Sequence, residues 1–330
     1  MNAPSDKSSA RNISGQDYRI SGPYTHENLS VFLIHGTDVP GTDRYVTLKE
    51  ALQQQKVIVQ ETGSVGELLI ENQLEDKDVF VQSGEILRGG RQDRTIRVDV
   101  VVPAKSKIPF PTFCVESGRW HRRGHESDAV FSSSNYYLAM KSLKLASKMH
   151  ANQGAVWREV AEAQAKLAFS LGEPVCSSVS PSSLELTLDH EKVVQGQRAY
   201  TEKLRSLASD HPDAVGFAFA INGELNSAEI YASHNLFAAY WDKLLGSAAV
   251  EALAERSAKQ QPRSVTAEDL QRLLTDADPV PRQTQPITDR VKLHTRRTPT
   301  TALFDTEDTA LPGAILHRQY IWYCEGKPKP

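Results

Sequence analysis

Short runs in which apolar and polar residues alternate dominate the chain from Val31 to Trp120. Alternation with a period of two is typical of strands that bury one face, and Gly, Pro, Asn and Asp separate the runs. One helical run, TLKEALQQ, interrupts them at residues 47–54. The predicted strands are VFLIH (31–35), VIVQE (57–61), ELLIEN (67–72), VFVQ (79–82), TIRVDVVVP (95–103) and PTFCVE (111–116). Their length and spacing favour antiparallel sheets that close as a sandwich or barrel.

The pattern becomes helical after Ser132. The predicted helices are SSNYYLAMKSLKLASKMH (133–150), GAVWREVAEAQAKLAF (154–169) and VVQGQRAYTEKLRSLA (193–208). A Ser- and Pro-rich connector, SVSPSSLELT, places a lobe boundary near residue 180. We therefore expect a β-rich lobe with trailing helices over residues 28–180 and a second lobe over residues 181–330.

The second lobe carries the clearest local signals. Residues 215–231 predict a β-hairpin, because Asn222-Gly223 suits a two-residue type I′ turn. An amphipathic helix is predicted over 235–254. A short helix opens at Thr266, residues 278–287 predict a loop, and 290–306 and 314–323 predict two final strands. The expected fold class is α+β, with an antiparallel β-rich N-terminal sandwich or barrel, a helical middle and a smaller α+β C-terminal lobe.

Composition narrows the classes of protein. Of the 330 residues, 39% are hydrophobic and 24% are charged, and the formal net charge is −3. Electrostatic binding to nucleic acid is disfavoured, because it needs a broad excess of Lys and Arg. No stretch reaches the roughly 20 apolar residues that cross a bilayer, and residues 1–27 are typical of a disordered polar tail, not of a secretory signal. We expect no nucleic-acid or membrane partner.

Three cysteines are too few and too scattered for a disulfide framework, which favours a reducing compartment and a cytoplasmic protein. No sequence feature identifies a cofactor. A homo-oligomer is compatible with the sequence.

The candidate chemistry begins in GEILRGGRQDRTIR, residues 84–97, where arginines recur every third residue. Alternation along the predicted strand places Gln92 and Arg94 on its apolar, buried face. A buried guanidinium needs an acceptor. We expect Arg94 to pair with Glu85 or Glu116.

The double glycine in this run predicts an anion site. Gly89 and Gly90 can adopt positive φ at little cost, so successive N–H groups can point at one ligand. With Arg91, Gln92 and Arg94 beside it, the loop suits phosphate or carboxylate. The alternative is a tight turn with a solvated arginine cluster.

A second run, CVESGRWHRRGH at residues 114–125, repeats the same residue types. Arg119 and Trp120 supply a cation and an aromatic face, a combination that recognises a phosphate next to a ring. Glu116 is a candidate ion-pair partner, general base or metal ligand, and the ion pair is favoured.

His121 and His125 are four residues apart and would share one face of a helix. The intervening Arg122 and Arg123 raise the positive charge where a cation would sit. No metal site is predicted.

Together these motifs resemble a bacterial and archaeal family, the ARG and rhodanese-phosphatase-superfamily-associated protein domain. The resemblance rests on Gly84-Glu85, on the Gly-Gly-x-Gln-x-Arg motif at residues 89–94 and on the Glu-x-Gly-Arg-Trp motif at residues 116–120. The family is named for its association with ADP-ribosylglycohydrolases and a rhodanese-phosphatase. The resemblance therefore implies a place in NAD or ADP-ribose metabolism.

Three functions remain open. The first is an enzyme that acts on an ADP-ribose, NAD-derived or other phosphorylated small metabolite, with Glu85 or Glu116 as acid or base. The second is a binding module that senses such a metabolite without transforming it. The third is a structural or partner-binding protein in which the arginines and glutamates form internal ion pairs.

Overall fold

A computed structural model describes residues 11–13, 16–119, 131–256, 265–276 and 280–323. Within these ranges the fold is α+β, with antiparallel sheets and a helical middle, as predicted. Among the described helices, none is both long enough and apolar enough to cross a bilayer.

The described strands, in chain order, are β1 (Arg11–Ile13), β2 (Gln16–His26), β3 (Leu29–His35), β4 (Tyr45–Thr47), β5 (Val57–Glu61), β6 (Glu67–Asn72), β7 (Asp78–Val81), β8 (Glu85–Gly89), β9 (Arg94–Ile96), β10 (Val100–Val102), β11 (Lys107–Cys114), β12 (Phe131–Leu138), β13 (Ala214–Ile221), β14 (Glu224–Tyr231), β15 (Gln283–Pro286), β16 (Val291–Arg297), β17 (Thr301–Asp308) and β18 (His317–Trp322).

The described helices are α1 (Leu48–Gln53), α2 (Lys141–Leu145), α3 (Gln153–Leu171), α4 (Leu184–Leu188), α5 (Glu191–Leu204), α6 (Leu207–Asp210), α7 (His234–Ala254) and α8 (Ala267–Asp276). A 3₁₀ turn at Thr42–Arg44 precedes β4, and a π-helical turn at Ala146–His150 continues α2.

The described strands form three sheets. Nine strands lie in the order β1-β2-β3-β13-β14-β18-β17-β16-β15, six in the order β12-β8-β9-β11-β6-β5, and three in the order β10-β7-β4. Neighbours are antiparallel except β4 and β7, which run parallel. Both predicted motif runs border the six-stranded sheet, since β8, β9 and β11 carry parts of them.

The nine-stranded sheet joins distant parts of the chain. Strand β3 pairs with β13, and Phe32 lies opposite Ala218. Strands from both sides of the expected lobe boundary near residue 180 therefore share one sheet. The boundary between residues 28–180 and 181–330 does not coincide with a break in this sheet.

Residues 16–26 differ from the expected polar tail because they form β2. Ile20 lies opposite Ile34 of β3, and Tyr18 and Ile20 are buried. The intervening polar, Gly and Pro residues hide this alternation in the sequence. Pairing with a neighbouring strand, which composition does not report, orders the segment.

The predicted strand at 95–103 is two strands in different sheets. Ile96 lies opposite Thr112 of β11, whereas Val100 lies opposite Val81 of β7. The chain changes sheets between them, where Asp99 accepts a hydrogen bond of 2.7 Å from the Ser83 N–H. Ile96 and the valines at 98 and 100–102 are all buried, which makes the sequence look like one continuous strand.

The predicted helix at residues 133–150 and the predicted connector before residue 188 both need correction. Residues 131–138 form β12, which pairs with β8, and the helix begins only at Lys141. Serine, asparagine and tyrosine are weak helix formers, so strand pairing decides this segment. The predicted connector ends at Thr187, but Leu184–Leu188 form α4, whose first turn is capped by the Ser183 hydroxyl.

The hairpin at 215–231 is confirmed as β13 and β14, with φ of 52° at Asn222 and 77° at Gly223. The long helix is confirmed as α7, and its side chains are buried over most of its length. Residues 290–306 are two paired strands, β16 and β17, instead of one, and residues 283–286 of the expected loop form β15.

Candidate functional site

Arg94 is fully buried, as the alternation predicts. Its Nη2 lies 3.4 Å from Glu61 Oε2 and its Nη1 donates to the Val65 carbonyl at 3.0 Å. Cys114, which lies opposite Arg94 in β11, contacts the same guanidinium through Sγ. Arg94 therefore ties β9 to β5 and β11.

Glu85 and Glu116, the expected partners of Arg94, belong to two other clusters. Glu85 pairs with Lys243 of α7, and Glu116 pairs with Arg119. The expectation that one of them neutralises Arg94 is wrong, because strand register places Glu61 beside the guanidinium.

Glu85 lies in a buried junction between β8 and α7. Its Oε1 accepts a hydrogen bond of 2.8 Å from the Tyr240 hydroxyl, and Lys243 Nζ binds its Oε2. The Ser133 hydroxyl donates to Oε2 at 3.2 Å and the Gln82 N–H donates to Oε1 at 3.2 Å. These contacts attach the motif strand to the long helix.

Glu116 and Arg119 form a bidentate ion pair. Arg119 Nε and Nη2 donate to the two carboxylate oxygens of Glu116, both at 2.7 Å. The Ser180 hydroxyl donates to Oε1 at 2.5 Å and the Asp93 N–H donates to Oε2 at 3.1 Å. Burial would raise the pKa of Glu116, but these hydrogen bonds lower it below its ordinary value.

Arg119 also joins the two motif runs. Its Nη1 donates to the Gly90 carbonyl at 3.2 Å, and its Nη2 lies 3.7 Å from Asp93 Oδ1. The structure therefore brings Gly90, Asp93, Glu116 and Arg119 together, whereas Arg94 and Glu85 lie in separate clusters.

The double-glycine loop already holds carboxylates of the chain. The Gly89 N–H donates to Asp93 Oδ1 at 3.1 Å, and the Arg91 N–H donates to Glu61 Oε1 at 3.1 Å. Gly90 has φ of 56°, and a Cβ there would lie 2.3 Å from the Phe131 ring. The two N–H groups therefore bind carboxylates of two different residues, and the predicted convergence of N–H groups on one external anion stays a prediction.

Asp93 and Glu185 were not predicted as site residues. Asp93 Oδ2 accepts a hydrogen bond of 2.9 Å from Ser183, the residue that caps α4. Asp93 could have been recognised, because an Asp after a Gly-Gly turn often accepts backbone N–H groups. No local pattern marks Glu185, since packing of α4 against distant parts of the chain buries it.

Glu185 is 4% exposed, and its Oε2 has no hydrogen-bond partner among the described atoms. Burial, together with the nearby charges of Asp189 and Asp93, raises the pKa of Glu185 to about 8. The side chain is therefore largely protonated at neutral pH. We call Asp93, Glu116 and Glu185, together with Arg119, the carboxylate cluster.

Arg88 is a half-exposed cation next to this cluster. Its Nη1 lies 2.9 Å from Asp189 Oδ2, and the two side chains are 37% and 47% exposed. Its positive charge lowers the pKa of Glu185, which places the guanidinium within electrostatic reach of that carboxyl. Exposed ion pairs of this kind contribute at most about 1 kcal/mol.

A second group of buried charges lies between the nine-stranded sheet and α2. His317 bonds Asp99 through Nδ1 at 2.7 Å and Glu229 through Nε2 at 2.8 Å. Lys144 Nζ and Gln319 Nε2 both donate to Glu229 Oε1 at 2.7 Å. We call these five residues the central polar cluster.

Two open surface pockets have no residue of the carboxylate cluster and no predicted site residue in their linings. One is lined by Lys56, Glu71, Asn72, Gln73, Glu75, Lys105, Ser106 and Lys107. The other lies along α3 and is lined by Ala161, Gln164, Ala165, Ala168, Phe169, Gly172, Glu173, Pro174, Val175 and Cys176.

The remaining predicted site residues are Gln92, Arg91, Trp120, His121 and His125. Gln92 is buried between the loop and β9, and the Arg91 side chain is exposed. Trp120, His121 and His125 lie outside the described residues. The described part of the chain contains no group of three or more His, Cys, Asp or Glu side chains that could hold a metal ion.

Comparison with protein families identifies a matching family. No curated protein and no solved structure is significantly similar to the chain. The sequence profile of the ARG and Rhodanese-Phosphatase-superfamily-associated Protein domain, ARPP-1, matches residues 17–321. That range contains every motif on which the resemblance rests. The chain therefore belongs to the ARPP-1 domain family.

Proposed function

We propose that this protein is an enzyme that acts on a phosphorylated small metabolite of the ADP-ribose or NAD type. Its site is the carboxylate cluster, with Glu185 as the proton donor and Arg88 as the phosphate ligand. The family name supports the substrate class only through its association with ADP-ribosylglycohydrolases and phosphatases.

The proposal rests on two carboxyl groups whose pKa values are shifted in opposite directions. Glu185 has a pKa raised to about 8, whereas the pKa of Glu116 is lowered. An acid whose pKa lies near the working pH can protonate a leaving oxygen and be reprotonated from water. Two carboxyl groups with opposite shifts are a common basis for acid and base roles.

Within this proposal, the charged residues of the cluster have different roles. Glu116 is already bonded to Arg119 and Ser180, and Asp93 to Ser183, so both fix the cluster, while Asp189 and Asp93 keep negative charge beside Glu185. That charge disfavours ionisation of Glu185. The neutral acid can then approach an oxygen of the substrate without repelling its phosphate.

The residue proposed to bind phosphate, Arg88, is not one of the arginines that the sequence predicts for this role. Arg94 and Arg119 are buried and paired with carboxylates, and displacing either pair would leave a buried charge. Arg88 reaches solvent, and a guanidinium can bind phosphate through two hydrogen bonds. A phosphate at Arg88 would lie next to Glu185.

Ligand-dependent thermal stability tests the proposal. The panel is ADP-ribose, NAD, nicotinamide mononucleotide and inorganic phosphate. A ligand at one hundred times its dissociation constant stabilises the fold by about 2.7 kcal/mol. We expect a raised midpoint with a nucleotide, and loss of that shift in Arg88→Ala.

The matched control is Arg205→Ala. Arg205 forms a similar exposed ion pair with Asp242, at 3.1 Å, on another part of the surface. This variant should keep the ligand-induced shift. An equal loss of the shift in both variants, or no shift with any member of the panel, contradicts the proposal.

A sensor without catalysis is the second candidate. It is favoured by the saturated hydrogen bonds of Glu116, because a carboxylate with four donors is a poor base. A sensor would show the same Arg88-dependent thermal shift but release no product. Product analysis of any stabilising ligand separates the two.

A further inference from the structure

A serine, a histidine and an aspartate form a hydrogen-bonded chain far from the carboxylate cluster in sequence. Ser21 lies in β2, His35 ends β3, and Asp213 precedes β13. Ser21 Oγ lies 2.7 Å from His35 Nε2, and His35 Nδ1 lies 2.9 Å from Asp213 Oδ1. A nucleophile bonded to a base that is oriented by a third group is the geometric signature of nucleophilic catalysis.

The hydrogen bonds define the protonation of the histidine. A carboxylate can only accept, so His35 Nδ1 must carry the proton that is donated to Asp213. Nε2 of the neutral ring then has a lone pair, which accepts the Ser21 O–H. This is the tautomer that a general base needs.

The surroundings favour the neutral ring. Burial lowers the pKa of His35 below its ordinary value, and the charges of Arg19 and His211 lower it further, although Asp213 opposes them. The imidazole is 3% exposed. It is therefore available as a base at neutral pH.

A β-bulge in β2 lies directly after Ser21. The register of β2 against β3 shifts between Ser21 and Tyr24, and the inserted Gly22 has φ of 106°. A Cβ at Gly22 would lie 2.8 Å from the Val31 carbonyl. Bulges re-aim side chains and are frequent beside active sites. Ser21 is partly exposed, so a substrate can reach its hydroxyl.

Tyr24 supplies a further donor. Its hydroxyl lies 3.2 Å from Ser21 Oγ and 3.2 Å from His211 Nε2. A tyrosine O–H beside the nucleophile is one of the groups that stabilise an oxyanion as it forms.

We propose that Ser21, His35 and Asp213 form a second catalytic site, which hydrolyses acyl esters. Ser21 Oγ attacks the ester carbonyl while its proton passes to His35 Nε2. The bond from the acyl carbon to the alkoxy oxygen breaks, and the leaving alcohol takes the proton from His35. Water then attacks the acyl-serine, its proton passes through His35 to Ser21 Oγ, and a carboxylic acid is released.

This site shares no residue with the carboxylate cluster, so the two proposals can fail separately. Its reactivity does not depend on Arg88 or Glu185. A protein without ligand-induced stabilisation could still carry a reactive Ser21, and the reverse also holds.

The test is covalent labelling of the full chain with a fluorophosphonate, followed by peptide mass spectrometry, together with hydrolysis of p-nitrophenyl acetate. We expect one adduct at Ser21, and turnover that Ser21→Ala abolishes. Asp213→Asn should slow labelling about 10⁴-fold, because an amide at this position favours the wrong histidine tautomer. Asp213 is 54% exposed, so this variant should fold.

Ser30→Ala is the matched control. Its hydroxyl lies 2.9 Å from that of Thr25 instead of a histidine, and the variant should label like the wild type. Absence of an adduct at Ser21 in the folded protein overturns the proposal. So does labelling of Ser21 at the same rate in Asp213→Asn, or ester turnover that survives Ser21→Ala.

Discussion

His317 and Asp99 are 218 residues apart in the chain, and their side chains meet in a buried hydrogen bond of 2.7 Å. The bond connects β18 of the nine-stranded sheet to the segment between β9 and β10. Glu229 binds the other ring nitrogen of His317, so the imidazole lies between two carboxylates. This arrangement requires a charged ring, and it gives the fold a dependence on pH.

Stability should fall at alkaline pH because His317 loses its proton. Burial alone would lower the pKa of His317, but Asp99 and Glu229 raise it from 6.5 to about 9. A group with a raised pKa stabilises the fold fully below about pH 6.5, and this contribution is lost as pH rises through about 9. Urea unfolding from pH 6 to 10 measures this slope. His317→Gln should have a smaller slope over the same range.

Arg94→Ala should lower the free energy of unfolding by about 3–5 kcal/mol, because it leaves Glu61 without its buried cation. The control is Arg205→Ala, whose exposed ion pair contributes about 1 kcal/mol or less. Denaturant unfolding compares the two. Equal, small losses would show that Arg94 is not a structural ion-pair residue.

Gly90→Ala should destabilise the double-glycine loop by several kcal/mol. A methyl group would meet the Phe131 ring at 2.3 Å, and φ is 56°. Gly63→Ala is the control, because Gly63 also has positive φ, of 86°, but a methyl group there would have no atom within 4 Å. That control should lose only about 1–2 kcal/mol from backbone strain. Similar losses in both variants would contradict the close approach of Phe131.

Glu185→Gln should stabilise the protein relative to the wild type as pH rises. The carboxyl keeps its proton to about pH 8 in the fold, against 4.5 ordinarily, so ionisation opposes folding between these values. The difference in unfolding free energy should grow from pH 4.5 and reach up to about 5 kcal/mol near pH 8, at about 1.4 kcal/mol for each pKa unit. A difference in unfolding free energy that does not change with pH would contradict the raised pKa of Glu185.

Local patterns predict the local structure well. The Asn222-Gly223 hairpin and the bounds of β5 and β6 follow from turn chemistry and alternation over a few residues. Pairing between distant strands is not encoded in such patterns. β2 and β12 were therefore missed, since each is ordered by a partner strand and neither has a strong apolar alternation.

The candidate site was predicted in part for the same reason. Burial of Arg94 follows from alternation, but its partner Glu61 depends on the register between sheets and loops. Arg119 and Gly90 meet, although they are 29 residues apart. Glu185, Ser21 and His35 become chemically notable only through neighbours that the fold brings to them.

Product analysis with Glu185→Gln tests the proposed enzyme most directly. Wild type, Glu185→Gln and Glu251→Gln would each be incubated with ADP-ribose, NAD and nicotinamide mononucleotide, and the products separated by chromatography and mass spectrometry. Glu251 is the matched control, because burial also raises its pKa but it binds Asn226 and the Lys141 N–H instead of the carboxylate cluster. We expect product from the wild type and Glu251→Gln, and at least a hundredfold less from Glu185→Gln, the lower range for loss of a general acid. Equal product from all three proteins, or no product from the wild type with any of these compounds, would contradict the role assigned to Glu185.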